Sequence, residues 1–120
     1  MRTRLDLNEQ SGDPTWAAFQ MQELLAKHQQ TGKPWFPFLT VSTMTVGVYI
    51  LPEAGVDPQE PHERDELYFV MSGKAKLQVE DASVSVGPGS TVFVKAHADH
   101  RFYDIEEKLK VLVFFSTAQP

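Results

Sequence analysis

Residues 59–73 read QEPHERDELYFVMSG, and this stretch decides the fold more than any other part of the chain. His62 and Glu66 stand four residues apart within it. Ligands of one metal ion must lie within about 3–3.5 Å of each other, because metal bonds to nitrogen and oxygen are about 2.0–2.2 Å long. An extended strand would hold residues four apart at ~13 Å. Such a pair meets either on a helix face or across a tight turn.

The continuation LYFVM, residues 67–71, decides between these two geometries. Its aromatic and β-branched side chains favour a strand over a helix. We therefore predict a turn through residues 63–65 that brings His62 back beside Glu66 at the start of a strand. A carboxylate that begins an apolar strand and faces its interior needs a partner, because burying an unpaired charge is costly.

The residues on both sides of this stretch alternate short β-type runs with turn residues such as Gly87-Pro88-Gly89. Many short strands at close spacing predict an antiparallel sandwich or barrel rather than a parallel α/β sheet. The predicted strands are Thr43–Leu51, Glu66–Met71, Lys74–Val79, Ser83–Val86, Thr91–Val94 and Lys110–Phe115.

Residues 1–38 hold the helical part of the sequence. We expect Asp13 to cap a helix with Pro14 at its first position and Gly32 at its end. The face of this helix either packs on the rest of the domain or contributes to a dimer contact, and its members are Ala17, Met21, Leu24, Leu25 and His28. We predict one structural domain, with residues 1–38 as a helix and extended segment on a β-domain of residues 39–120. The apolar run Trp35–Phe38 is expected to pack against the β-domain or a partner chain.

The composition restricts the classes of function. The formal net charge of −5 and the lack of a Lys/Arg cluster argue against binding to nucleic acid or anionic lipid. No stretch approaches the roughly 20 apolar residues of a membrane helix, and the N-terminus lacks the apolar run of a secretory signal, so we expect a cytoplasmic protein. The chain contains no cysteine. Any metal site must therefore be built from His, Asp and Glu.

A third candidate ligand, His100, follows the turn at residues 87–89, a predicted strand and a short loop. This order places His100 at the start of the next strand. From Gly55 to Asp104 the sequence resembles the cupin superfamily, whose two motifs are written G(X)5HXH(X)3,4E(X)6G and G(X)5PXG(X)2H(X)3N. The resemblance covers roughly the last two-thirds of the chain. His62, Glu66 and Gly73 match the first motif, whereas Gly89, His100 and, chemically, Asp104 match the second.

The resemblance implies a mainly β fold, an antiparallel double-stranded β-helix or jelly-roll barrel with one N-terminal α-helix. It also implies that His62, Glu66 and His100 line the open end of the barrel and hold one divalent metal ion, such as Fe, Mn, Zn or Ni. Small single-domain cupins are commonly homodimers, so the resemblance suggests a homodimer here. The final apolar run, Val111–Phe115, adds support because both of its faces need to be covered.

The sequence departs from the cupin motifs at three positions. Glu60 stands where the first histidine is expected, Lys95 replaces the proline and His97 replaces the glycine of the second motif. Glu60 is either a fourth metal ligand or a solvent-facing residue, and the amide oxygen of Gln59 is an alternative ligand. A second carboxylate would favour Mn, Fe or Zn over copper.

Two functions from different classes are compatible with this sequence. The first is a metal-dependent, dioxygenase-like enzyme that acts on a small molecule, with open metal positions for substrate and O2 or water. Isomerase or lyase chemistry would use the same ligands. The second is a metal-binding or small-ligand-binding module without turnover, because a fold does not fix a function.

Overall fold

A computed structural model describes residues 12–117 of the chain. It consists of one α-helix and six β-strands, and all strand pairs are antiparallel. The elements are α1 (Met21–Thr31), β1 (Trp35–Thr40), β2 (Met44–Leu51), β3 (Glu66–Val79), β4 (Ala82–Val86), β5 (Thr91–Val94) and β6 (His100–Ser116). This confirms the predicted mainly β class with a single helix. Within residues 12–117, no helix has the length and apolarity that crossing a bilayer requires.

The sheet is organised around the two longest strands. The strand order is β1-β2-β6-β3-β4, and β5 pairs with the first part of β3. Side chains of β3 and β6 alternate between the interior and the outer face, as a half-buried antiparallel sheet requires. Inward side chains form one core, whose fully buried members include Val70, Leu77, Leu109 and Val111.

β3 and β6 form one long ribbon that is bent in its middle. The pairing runs from Glu66 opposite Phe115 at one end to Val79 opposite His100 at the other. The register shifts three times between Val70 and Lys76, which marks the bend. Bending the ribbon folds its two ends toward each other.

Gly73 lies at this bend, with a φ of 102° that side-chain-bearing residues rarely adopt. A Cβ at this position would stand 2.3 Å from the carbonyl oxygen of Lys108. The sequence predicted a break between two strands at Ser72-Gly73. The structure instead continues one strand through the glycine, because β6 supplies a partner on both sides of the bend.

Two further expectations for the strands differ from the structure. Trp35–Thr40 is a strand that pairs with β2, whereas the sequence predicted only an apolar contact segment. The last strand begins at His100 instead of Lys110, because residues 100–109 pair with the second half of β3. The charged residues of this part face outward, so they hid the strand pattern in the sequence.

The helix starts later than the sequence predicted. It begins at Met21, and Gln20 occupies the N-cap position, where its side chain does not cap the helix. The expectation that Asp13 caps the helix is wrong, because its carboxylate accepts a hydrogen bond from the backbone N–H of Ser42 at 3.0 Å. Gly32 ends the helix in a left-handed conformation, as predicted. Leu24 is its buried residue. Residues 1–11 of the predicted N-terminal segment, and with them the expected lack of a secretory signal, lie outside the described residues, as do residues 118–120.

Candidate metal centre

Three side chains converge where the two ends of the β3–β6 ribbon meet. Among the described residues, His62, Glu66 and His100 form a cluster in which one potential ligand atom of each lies within 4.8 Å of the others. Nε2 of His100 is 2.9 Å from Oε2 of Glu66. Nε2 of His62 is 3.6 Å from the same oxygen. The spacing of three or four angstroms is that of donor atoms which share one ion.

The loop before β3 is held in place by backbone contacts. The N–H of His97 donates to the carbonyl of His62 at 2.6 Å. The carboxylate of Asp65 accepts from the N–H of Ala96 at 2.9 Å, and its carbonyl accepts from the N–H of Ser116 at 3.0 Å. These bonds tie residues 62–65 to the loop before β6 and to the end of β6. His62 therefore turns back toward Glu66, which is the first residue of β3.

The site is buried on the side of Glu66 and His100. These two residues are 2% and 3% exposed, whereas a third of the His62 side chain is exposed. Both carboxylate oxygens of Glu66 and Nε2 of His100 lack a hydrogen-bond partner among residues 12–117. Buried polar atoms without partners are rare in folded proteins and call for an explanation.

The tautomer of His100 sharpens this point. Its Nδ1 lies 2.8 Å from the carbonyl oxygen of Ala98, which can only accept a hydrogen bond, so Nδ1 carries a proton. In the neutral imidazole, Nε2 then directs a lone pair at Oε2 of Glu66 across 2.9 Å. Two lone pairs at this distance repel each other unless a cation or a second proton lies between the groups. Anchoring of one ring nitrogen by a carbonyl is also the usual arrangement behind a metal-binding histidine.

The raised pKa of His100 also shows that its surroundings favour a positive charge at this position. Burial lowers this pKa, but the side chain of Glu66 and the carbonyl of Ala98 outweigh burial, and the pKa lies above its ordinary value. Burial, followed by the charge of Glu66, raises the pKa of the nearby Tyr68 hydroxyl. Tyr68 therefore stays neutral and acts as a hydrogen-bond donor.

A buried polar network lies next to the three candidate ligands. The carboxylate of Asp57 accepts hydrogen bonds from the Tyr49 hydroxyl, from the backbone and side-chain amides of Gln59, and from the N–H of Phe102. The side-chain oxygen of Gln59 accepts from the Tyr68 hydroxyl at 3.1 Å and lies 3.3 Å from Nε2 of His62. Within residues 12–117 the buried polar or charged residues are Asp57, Glu66 and His100, so they are all found here.

A cavity of about 40 Å³ adjoins the cluster. This volume is close to the roughly 30 Å³ share of one water molecule, so the space suits an ion or a water rather than a large ligand. Its walls are mostly aromatic and apolar beside the polar groups, and they comprise Trp35, Tyr49, Gln59, His62, Glu66, Tyr68, Val113 and Phe115. An open pocket of about 330 Å³ adjoins it, and Trp35, His62 and Phe115 line both spaces.

The other residues singled out in the sequence have different surroundings. Glu60 is exposed and lies outside the three-residue cluster. His97 is exposed in the loop before β6, with a φ of 70°. Asp104, at the asparagine position of the second cupin motif, is exposed and pairs with Lys76 at 3.5 Å. Gln59, the alternative to Glu60, is the residue whose side chain reaches His62.

Asp57 and Tyr49 belong to the site and were not predicted. Asp57 lies in a Pro-rich loop whose composition looks like that of an exposed linker. Tyr49 gave no signal in the sequence, because an aromatic residue is an ordinary member of a buried strand. The one available signal was the spacing of Asp57 two residues before Gln59, which is typical of a local side-chain-to-backbone turn.

Comparison with known proteins is consistent with this geometry. The sequence profile of the family described as "Cupin domain" matches residues 47–115. The uncharacterized protein SCO3923 of Streptomyces coelicolor is 41% identical over 99 residues, which cover 82% of this chain and 94% of that protein.

Solved structures give the same fold. An RmlC-like cupin with a double-stranded β-helix fold from Methanocaldococcus jannaschii aligns with a TM-score of 0.64 at 15% identity, over 70% of this chain and 79% of that one. The DMSP lyase DddQ from Ruegeria pomeroyi aligns with a TM-score of 0.60 at 25% identity, over 67% of this chain but only 41% of that one. The bent β3–β6 ribbon, the matched profile and these structures agree, and the chain belongs to the cupin family.

Proposed function

We propose that this cupin binds one divalent metal ion through Nε2 of His62, a carboxylate oxygen of Glu66 and Nε2 of His100. The observation that carries the proposal is the convergence of three ligand atoms: the buried Nε2 of His100 lies 2.9 Å and Nε2 of His62 lies 3.6 Å from the buried Oε2 of Glu66. A cation between them would remove both the repulsion and the missing partners. Two imidazoles and a carboxylate suit Mn, Fe, Zn or Ni.

Metal analysis tests this proposal directly. Protein purified without added metal is analysed for its metal content and then titrated with Zn²⁺ and Mn²⁺. We expect about one ion per chain in the wild type and loss of high-affinity binding in His62→Ala and His100→Ala. His97→Asn is the matched control, because His97 is an exposed loop histidine and asparagine tolerates its left-handed backbone. Equal metal content in all four proteins would refute the site.

We further propose that the centre acts on a small molecule, as a dioxygenase-like enzyme. A bound ion would supply Lewis-acid or redox chemistry at coordination positions that the protein leaves open. The chain's own residues shape the approach: Trp35, His62 and Phe115 separate the inner cavity from the open pocket of about 330 Å³. Phe115 packs edge-on against His62, with ring centroids 5.0 Å apart, and restricts water at the imidazole.

A lyase is the second candidate, and it is favoured by the likeness to the DMSP lyase DddQ, which is 25% identical over the aligned region. Oxygen dependence separates the two activities. Metal-loaded protein is incubated with a panel of small molecules that includes DMSP, with and without O2, and substrate loss is followed by mass spectrometry. Turnover only with O2 supports the oxygenase, and turnover in both atmospheres supports the lyase. No turnover with a full metal site would support a non-catalytic binding module.

We also propose a homodimer that uses the outer face of β3 and β5. Leu67 and Phe69 on β3 are each 39% exposed, and Phe93 on β5 is 60% exposed. Leu67 and Phe93 are directly paired, so they lie on the same face of the sheet. Phe114 of β6 pairs with Leu67 from the other side and extends this apolar face. Light scattering should give a dimer for the wild type and a monomer for Phe93→Lys, and a wild-type monomer would exclude this proposal.

A further inference from the structure

Asp57 fixes the orientation of one amide beside the candidate metal centre. The carboxylate is 7% exposed, and its Oδ2 accepts from Nε2 of Gln59 at 2.7 Å. A carboxylate without a proton can only accept hydrogen bonds, and the amide nitrogen is the donating end of glutamine. The nitrogen of Gln59 must therefore face Asp57.

The oxygen of the Gln59 amide must then point in the opposite direction, away from Asp57. Oε1 of Gln59 faces the cluster, 3.3 Å from Nε2 of His62 and 3.1 Å from the hydroxyl of Tyr68. The hydroxyl donates to this oxygen and occupies one of its two lone pairs, and the second faces Nε2 of His62. Gln59 and His62 also line the same cavity of about 40 Å³.

We propose that Oε1 of Gln59 is a fourth protein ligand of the metal centre and that Asp57 is its positioning residue. This inference rests on the proposed metal-binding function and identifies which residue stands in for the first cupin histidine. Glu60, which occupies that sequence position, is exposed and outside the cluster. Gln59, one residue earlier, has its side chain in the cavity.

The chemical consequence is a change in donor type without a change in charge. Two imidazole nitrogens, one carboxylate oxygen and one amide oxygen form a site with a single negative charge, whereas Glu60 would have added a second. Exchange of an imidazole for a hard oxygen donor shifts preference toward Mn²⁺ and away from Cu²⁺ or Ni²⁺. The expected occupant is therefore an ion that readily accepts oxygen ligands, such as Mn²⁺.

The test uses Mn²⁺ as the probe and counts the water molecules bound to it. Wild type, Gln59→Leu and Asp57→Asn are titrated with Mn²⁺, and bound waters are counted from EPR line broadening in ¹⁷O-enriched water. Gln30→Leu is the matched control, because Gln30 is an exposed glutamine of α1, an element that contributes no residue to the cluster. Circular dichroism checks that each variant is folded.

Removal of a ligand should open one coordination position. We expect Gln59→Leu to bind Mn²⁺ at least about 10-fold more weakly and to carry one additional metal-bound water. Asp57→Asn should weaken binding by about 10- to 100-fold, the range typical of residues that support a metal ligand. Weaker binding with an unchanged water count would assign Gln59 a purely structural role and overturn the inference. Gln59→Leu decides the outcome if Asp57→Asn fails to fold.

Failure of this inference can be distinguished from failure of the proposed function. Wild-type protein that binds Zn²⁺ through His62 and His100 but takes up no Mn²⁺ contradicts the proposed set of two nitrogen and two oxygen donors and leaves the metal site intact. Wild-type protein that binds neither ion would refute both the role of Gln59 and the proposed metal-binding function.

Discussion

Replacing Glu66 by glutamine should have opposite effects on stability with and without metal. In the metal-free protein the two oxygens of Glu66 are buried and have no hydrogen-bond partner within the described chain. An unsatisfied buried polar group costs about 1–3 kcal/mol, and more when it is charged. The Glu66→Gln variant removes the charge and provides an amide N–H that can donate to Nε2 of His100. We therefore expect the metal-free variant to be about 1–3 kcal/mol more stable than the wild type.

Metal reverses this order. At a free metal concentration of 100 times the Kd, binding adds about 2.7 kcal/mol to the stability of the wild type. The variant lacks the anionic ligand and should lose most of this gain. For a chain of this size, 1 kcal/mol corresponds to roughly 3–6 °C in Tm. The two melting curves should therefore exchange their order when the chelator is replaced by metal.

The assay is thermal unfolding at pH 8.5, first with chelator and then with saturating Zn²⁺. The high pH matters because a protonated His100 would pair with Glu66 and stabilise the wild type. Glu106→Gln serves as the control, since Glu106 is an exposed carboxylate on the same strand as His100. A Glu66→Gln variant that is less stable than the wild type by the same amount in both conditions would refute the reasoning, because Glu66 would then be a structural residue only.

Three more predictions concern the bend, the polar network and the pH response. Gly73→Ala should lower the free energy of unfolding by about 2–4 kcal/mol in chemical denaturation, because the new side chain combines a positive φ with a backbone clash against Lys108. Equal stability of the variant and the wild type would contradict this prediction and mean that the bend adapts easily. Tyr49→Phe should cost about 1.5–3 kcal/mol through the lost hydrogen bond to the Asp57 carboxylate, while metal content stays the same. Loss of metal would place Tyr49 in the binding chemistry. The folded-state pKa of His100 is raised, so its proton stabilises the metal-free protein at pH below about 6.5, and this contribution is lost as pH rises through the raised pKa. Denaturation of the metal-free protein from pH 6 to 9 should show this decline, and a flat or rising profile would contradict it.

The sequence predicted the parts of the site that depend on residue type and spacing. A carboxylate at the start of an apolar strand, with a histidine four residues earlier, required a turn, and the structure brings the two side chains to 3.6 Å. His100 was predicted at the start of a strand, and it is the first residue of β6. These residues were predictable because a charge next to an apolar run has few acceptable environments.

Other features depend on contacts between distant segments and left no local signal. Asp13 has the residue type and position of a helix cap, but Ser42 competes for its carboxylate and the helix begins at Met21. Trp35–Thr40 becomes a strand because the edge of β2 offers unpaired backbone groups, and Pro37 within it obscured the pattern. The role of Gln59 was also undecidable from spacing, because it depends on which way Asp57 turns the amide.

The position of the site at the closure of the β3–β6 ribbon links metal binding to the fold itself. Glu66 and His100 belong to opposite ends of this ribbon, and the bend at Gly73 brings them together. Without a cation and with His100 unprotonated, the two ends approach through facing lone pairs and resist closure. With a cation, the same contact becomes a link between residues far apart in sequence, and because the site forms only in the folded chain, the free energy of metal binding adds to the stability of the fold. The bend and the ligands therefore depend on each other: a ribbon that did not bend would have no site, and the bent ribbon is closed most tightly when an ion joins its two ends.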